Sequence, residues 1–252
     1  VEEAYGDKVE TLYIESVQYG PEAERVIRDM ASSGVDIIFA TSFGYMEPML
    51  KVAKEFPDVK FEQATGYKRH DNMSTYGLRL YQARHVQGVI AGLMTKTNKI
   101  CYVGAYPIPE VIREINTYYL GAKSVNPNID IDVVWVNTWY DPGKEANAAN
   151  VMMAEGCDMV AQHTDSPAPL QPYYIKKVGQ VIDGNWQVED YFGHMNEDAV
   201  QMAPFTNMPD DVKAKAQSIK DAIENGEYFA FTGPIKDNTG KLQLADGVVA
   251  DD

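Results

Sequence analysis

The sequence predicts an α/β protein in which parallel sheets are covered by helices. Three observations carry this. Short apolar runs of strand length alternate with amphipathic runs of helix length, prolines open several of the helices, and the strand ends carry polar and aromatic residues. The stretch from Ile100 to Asp165 shows the pattern most clearly. Ile100–Ala105 (ICYVGA) is apolar throughout, as a strand buried on both faces is. Pro109 starts a helix with Val111, Ile112, Ile115, Tyr119 and Ala122 spaced along one face. Asn126-Pro127-Asn128 stops it, and Ile131–Asn137 is the second strand. Asp141 is placed to cap a second helix with Pro142 at its first position. A third strand, Asp158–Gln162, ends in His163-Thr164-Asp165. Open parallel sheets gather ligands beyond the carboxyl ends of their strands. Those ends carry Tyr106, Asn137 with Trp139, and the His163–Asp165 group, which suits a small, flat, polar molecule.

The preceding residues repeat the theme. Val1–Gly6 reads as the tail of a helix closed by a glycine, so the chain is expected to begin after something has been removed. Val9–Val17 alternates apolar with polar and predicts a strand. Pro21 opens a helix with Val26, Ile27 and Met30 facing inward, Gly34 ends it, and Val35–Ala40 is the next strand. Thr41–Tyr45 follows, then a helix to Phe56, a strand over Val59–Ala64 and an exit through Thr65-Gly66-Tyr67. Tyr76–Leu80 alternates, a helix runs over 81–95, and Thr97-Asn98 is the expected hinge. After Asp165 the spacing predicts helices over Tyr173–Ile182 and from Pro209 to Asn225. It also predicts strands near Trp186–Phe192 and Ala199–Ala203, and a hairpin at Asn238–Gly240.

Composition excludes some functions. A formal net charge of −15 over 252 residues argues against nucleic acid and anionic membrane surfaces, which need a basic face. No apolar run approaches the ~20 residues of a membrane span. Cys101 and Cys157 lie in or beside buried strands and read as small core residues; they fit cytoplasm and periplasm alike. No dinucleotide, phosphate-loop, nucleophile-elbow or zincin motif occurs. His163 and Asp165 lack partners at metal-ligand spacing, so neither metal nor cofactor is expected. Phe43 and Trp139 follow strand ends in separate sets of repeats, which favours a ligand role over plain packing. Asp165 can accept ligand N–H or O–H groups, or cap a helix beginning at Pro167. Two sets of βα repeats with aromatic rims outline a two-lobed binding protein.

Six runs carry a resemblance: Asp36–Tyr45 (DIIFATSFGY), Phe61–Tyr67 (FEQATGY), Tyr102–Arg113 (YVGAYPIPEVIR), Val134–Lys144 (VWVNTWYDPGK), His163–Pro167 (HTDSP) and Phe231–Ile235 (FTGPI). Together they resemble the basic membrane protein (BMP) family of bacterial ABC-importer substrate-binding proteins. The resemblance implies a periplasmic-binding-protein type I fold, two Rossmann-like lobes with a hinged cleft, and no catalysis. It implies a purine base or purine nucleoside as ligand and a membrane ABC permease as partner; a monomer is expected. The expected location is the periplasm or the outer face of the cytoplasmic membrane, often with a lipid anchor. The lobes are expected as 1–98, 99–171, a return over 172–185, and 186–252. Positions matching the family's cleft-facing motifs are Phe43, Tyr45, Thr65, Asn137, Trp139 and Asp165. A sugar or other polar solute is the alternative ligand, and a nucleoside-processing enzyme the alternative class. Relatives carry a first strand before this start, a closing segment after Asp252 and an extra section at Gln171-Pro172. Gln171 and Pro172 are therefore expected not to be peptide-bonded neighbours in the structure.

Overall fold

A computed structural model describes residues 1–163, 180–186, 190–197, 199–206 and 208–250. In chain order the elements are α1 (Glu2–Tyr5), α2 (Pro21–Ser32), β1 (Ile37–Ala40), α3 (Met46–Glu55), β2 (Lys60–Ala64), β3 (Met73–Leu78) and α4 (Leu80–Met94). Then come β4 (Lys99–Gly104), α5 (Pro109–Val125), β5 (Asp130–Trp135), α6 (Pro142–Ala154) and β6 (Met159–Gln162). The last are β7 (Asp190–Gly193), α7 (Asp210–Glu224), β8 (Ile235–Lys236) and β9 (Leu242–Leu244). The chain divides into two compact units, Val1–Leu78 with Pro167–Gly193, and Arg79–Ser166 with His194–Asp252.

In the first unit the strands run in the order β1-β2-β3-β7, all parallel. Ile27 and Ala31 of α2, Met49 and Val52 of α3, Ile38, Phe61 and Met73 close into one core. Val9–Val17 is a correction: the segment forms no strand, and Leu12, Tyr13 and Ile14 are exposed. Alternation makes a strand only when a neighbour completes the hydrogen-bond ladder. Here a cavity of about 1030 Å³ has Lys8–Val17 on one side and Val35–Thr41, at the edge of β1, on the other.

In the second unit β4 lies between β5 and β6, with both pairings parallel. Its successive side chains serve opposite faces, as a central strand requires. Ile100 and Tyr102 pack with Val111, Ile115 and Tyr118 of α5, while Cys101 and Val103 pack with Ala148 and Met152 of α6. Cys101 and Cys157 are joined as a disulfide across a Cα separation of 6.1 Å. Asp141 caps α6 by accepting from the Lys144 amide at 3.0 Å, and Glu145 returns the bond to the Asp141 amide. Asp158 accepts from Thr95 Oγ1 and the amides of Lys96 and Thr97, which holds the Thr97-Asn98 turn.

Helices α4 and α5 touch backbone to backbone through glycines. A methyl added at Gly88 would overlap the Tyr118 carbonyl oxygen, and one at Gly121 the His85 carbonyl oxygen. Gly121→Ala is therefore expected to destabilise the protein by about 1–3 kcal/mol through forced helix separation. Urea unfolding with an unchanged midpoint would show that the helices can part without loss.

Other expectations shift in detail. Ala199–Ala203 is irregular, following a 3₁₀ turn over Met195–Glu197, and Ile112 is exposed although it was placed on the inner face of α5. The strand expected from Trp186 is formed at Asp190–Gly193. The hairpin at Asn238–Gly240 is present as β8 and β9, with the Asp237 carboxylate accepting from the Thr239 and Lys241 amides. Of the helix expected over Tyr173–Ile182 only residues 180–182 are described, and they are helical. The Gln171-Pro172 junction lies outside the described residues.

Candidate functional site

Each unit presents a rim where its parallel strands end. In the first unit β1 leads into a 3₁₀ turn over Phe43–Tyr45. Gln63, buried at the end of β2, donates from Nε2 to the Ser42 carbonyl at 2.8 Å and so holds that turn. Phe43 is half-buried, with the Tyr67 ring 6.2 Å away centroid to centroid. The Tyr45 hydroxyl donates to the Val17 carbonyl at 2.7 Å, and its ring meets Tyr19 edge-on. That hydroxyl is committed within the fold. Thr65 stands at the exit of β2 with φ +56°, and its amide donates to the Tyr76 carbonyl at 2.7 Å. A left-handed β-branched residue is strained, and such strain gathers at functional positions.

In the second unit Asn137 leaves β5 exposed and with φ +54°. Two residues on, the Trp139 ring neighbours two others: Tyr106 from the exit of β4 at 5.4 Å and His163 from the exit of β6 at 5.8 Å, centroid to centroid. Three strand exits thus converge on one aromatic wall. Asp165 lies outside the described residues.

Beneath that wall is a group the sequence reading missed. Glu114 is 2% exposed, and its Oε2 accepts from Arg84 Nε at 2.9 Å and from His163 Nδ1 at 2.9 Å. Burial works to raise the Glu114 pKa, but the His163 hydrogen bond and the Arg84 charge outweigh it and hold the carboxyl below its ordinary value. Burial likewise opposes the His163 imidazolium, and Glu114 overcomes it, leaving the histidine pKa raised. The signal was present in α5: Glu114 interrupts the buried stripe of Val111, Ile115, Tyr118 and Ala122. Glu110, Glu114 and His163 bring ligand atoms within 4.8 Å of one another. Arg84, however, already supplies the cation beside Glu114.

His85, on α4, behaves oppositely. It is buried, bonded through Nε2 to the Tyr228 hydroxyl at 2.9 Å, and burial depresses its pKa to about 4. An unfolded chain would protonate this residue near pH 6.5, before the folded one does. Stability from this group is therefore complete above about pH 6.5 and declines by about 3 kcal/mol as pH falls toward 4. Urea unfolding across that range should show the decline, and His85→Gln should remove it. An equally steep decline in the variant would assign the effect to other groups.

Comparison with known proteins follows the same lines. The profile of the family described as "Bmp: ABC transporter substrate-binding protein PnrA-like" matches residues 1–171. The chain is 47% identical over 283 aligned positions to the "Purine-binding protein BAB2_0673" of Brucella abortus (strain 2308), covering 99% of this chain and 81% of that protein. Those aligned positions outnumber the 252 residues here, so the relative carries additional residues inside the aligned region. Identity is 35% to the "Putative ABC transporter glucose-binding protein TsgA13" of Haloferax volcanii, over 92% of this chain and 68% of that protein. Among solved structures, an ABC transporter system solute-binding protein from Aeropyrum pernix K1 superposes with a TM-score of 0.71 at 16% identity. That match covers 94% of this chain and 87% of the other, and it establishes the type I periplasmic-binding fold. By profile match, whole-chain identity and fold, the chain belongs to the Bmp family of PnrA-like ABC transporter substrate-binding proteins.

Proposed function

We propose that this protein captures a purine base or purine nucleoside and delivers it to an ABC importer. The observation that carries the reading is the wall of Trp139 and Tyr106, with His163 beside it. A flat face next to hydrogen-bonding groups fits a heterocycle that stacks by its plane and is read by its edge. The 47% identity to a purine-binding protein supports the same choice. Trp139 and Phe43 are the stacking candidates, each on the rim of its own unit. Tyr45 is a further aromatic candidate, and Thr65, Asn137 and Asp165 are the polar candidates.

Members of the family are non-catalytic, bind small molecules outside the cytoplasmic membrane and work with ABC permeases. No helix among the described residues is long and apolar enough to cross a membrane. The Cys101–Cys157 disulfide supports an oxidising, extracytoplasmic setting. Delivery as a monomer, with a lipid anchor holding the protein near its permease, completes the proposal.

A sugar is the second reading, favoured by the 35% identity to the Haloferax protein and by the ability of sugars to stack on aromatic rings. Denaturing protein purified under native conditions and identifying the released small molecule by mass spectrometry separates the two. A purine or nucleoside at near-stoichiometric yield is expected. A released sugar would replace the reading.

A further inference from the structure

A stacking wall alone does not need the buried charges beneath it. An ion cluster of this kind bears a desolvation cost that apolar residues of equal volume would not. Its geometry restricts one group in particular. An ionised carboxylate only accepts hydrogen bonds, so the bond to Glu114 keeps a hydrogen on His163 Nδ1 in both charge states of the ring. Proton gain or loss is then confined to Nε2. His163 is 7% exposed, and Nε2 is neither hydrogen-bonded among the described residues nor one of the enclosed side-chain atoms lacking a partner. Nε2 lies on the side of the ring turned away from Glu114, and the ring centroid stands 5.8 Å from that of Trp139.

We propose that His163 is a ligand-contacting, specificity-determining residue whose Nε2 hydrogen-bonds the edge of a purine stacked on Trp139, accepting when the ring is neutral and donating when it is protonated. Glu114 and Arg84 are its positioning residues. The inference rests on the purine reading above. Adenine offers an amine donor and ring-nitrogen acceptors, whereas hypoxanthine offers a carbonyl acceptor and an N–H donor, so protonation of Nε2 changes which edge fits. The charged groups around the ring are Glu114 and Glu110 of α5, which favour protonation, and Arg84 of α4, which opposes it. Tyr102 of β4 lies under the Arg84 guanidinium, and Trp139 adds an uncharged ring.

The test is calorimetric titration with adenine and hypoxanthine from roughly pH 5.5 to 8.5, the range in which histidine changes charge. Wild type, His163→Asn, Glu114→Gln and Trp139→Ala are compared. Asparagine sets its amide nitrogen where Nδ1 stood, so the bond to Glu114 remains and only Nε2 is lost. In the wild type the ratio of the two affinities should change by about tenfold across the range. His163→Asn should bind more weakly with a flat ratio. Glu114→Gln should move the midpoint of the change to lower pH, which loss of packing alone would not do. Trp139→Ala should weaken both purines and leave the midpoint in place. A wild type that binds neither purine overturns the purine reading and this inference with it. A wild type that binds purine with a ratio unchanged in His163→Asn overturns the His163 assignment alone. The imidazole nitrogen resonances of His163 in the unmodified protein give a second readout. They should shift on saturation with purine, and unmoved resonances contradict the contact even if the variant fails to fold.

Discussion

Replacing Trp139 with alanine is expected to weaken purine binding about ten- to a hundredfold while leaving the fold intact. Stacking of a base on an aromatic ring contributes roughly 1–3 kcal/mol in nucleic-acid proteins, and each ~1.4 kcal/mol is tenfold in affinity. Trp139 is half-buried and carried on the loop after β5, so its truncation removes a face of the wall without opening the centre of the core. Tyr106 and His163 would keep their places, since β4 and β6 position them independently. Calorimetry and thermal melting together give the answer. Unchanged affinity would make Trp139 a packing residue, and a large loss of melting temperature would show the loop to be structural.

Cys157→Ser is expected to lower the unfolding free energy by about 4 kcal/mol, the chain-entropy value for a crosslink of this span. The two cysteines are 56 positions apart, and the bond ties the turn after α6 to the centre of the second unit's sheet. Cys101 is fully buried and Cys157 nearly so. Serine at 157 would also place a hydroxyl among Val103, Ala148 and Met152. Urea unfolding of the wild type with and without reductant provides the comparison. Reductant should move the midpoint of the wild type and not that of the variant. Identical midpoints for both proteins under oxidising conditions would show that the bond contributes nothing to stability.

Much of the second unit was legible because its signals are local. Pro109 and the Asp141-Pro142 pair set the starts of α5 and α6, and an apolar run without alternation marked β4 as a central strand. What was not legible depends on distant partners. Val9–Val17 carries the alternation of a strand, yet among the described residues no neighbouring strand takes up its backbone. Both cysteines were placed in the core, but their spacing does not state that they meet. The Arg84–Glu114–His163 group joins residues 30 and 49 positions apart. Only Glu114, a carboxylate in an apolar stripe, could have announced it. At the rims, strand-exit logic located Phe43, Thr65, Asn137 and Trp139. It could not show that the Tyr45 hydroxyl is occupied by Val17.

The central claim is that the aromatic wall takes a purine. Protein freed of ligand by unfolding and refolding can be titrated in a calorimeter with adenine, guanine, hypoxanthine, their nucleosides and glucose. The account predicts saturable one-to-one binding of at least one purine or purine nucleoside and no heat from glucose. Saturable binding of glucose, with no response to any purine, would contradict it.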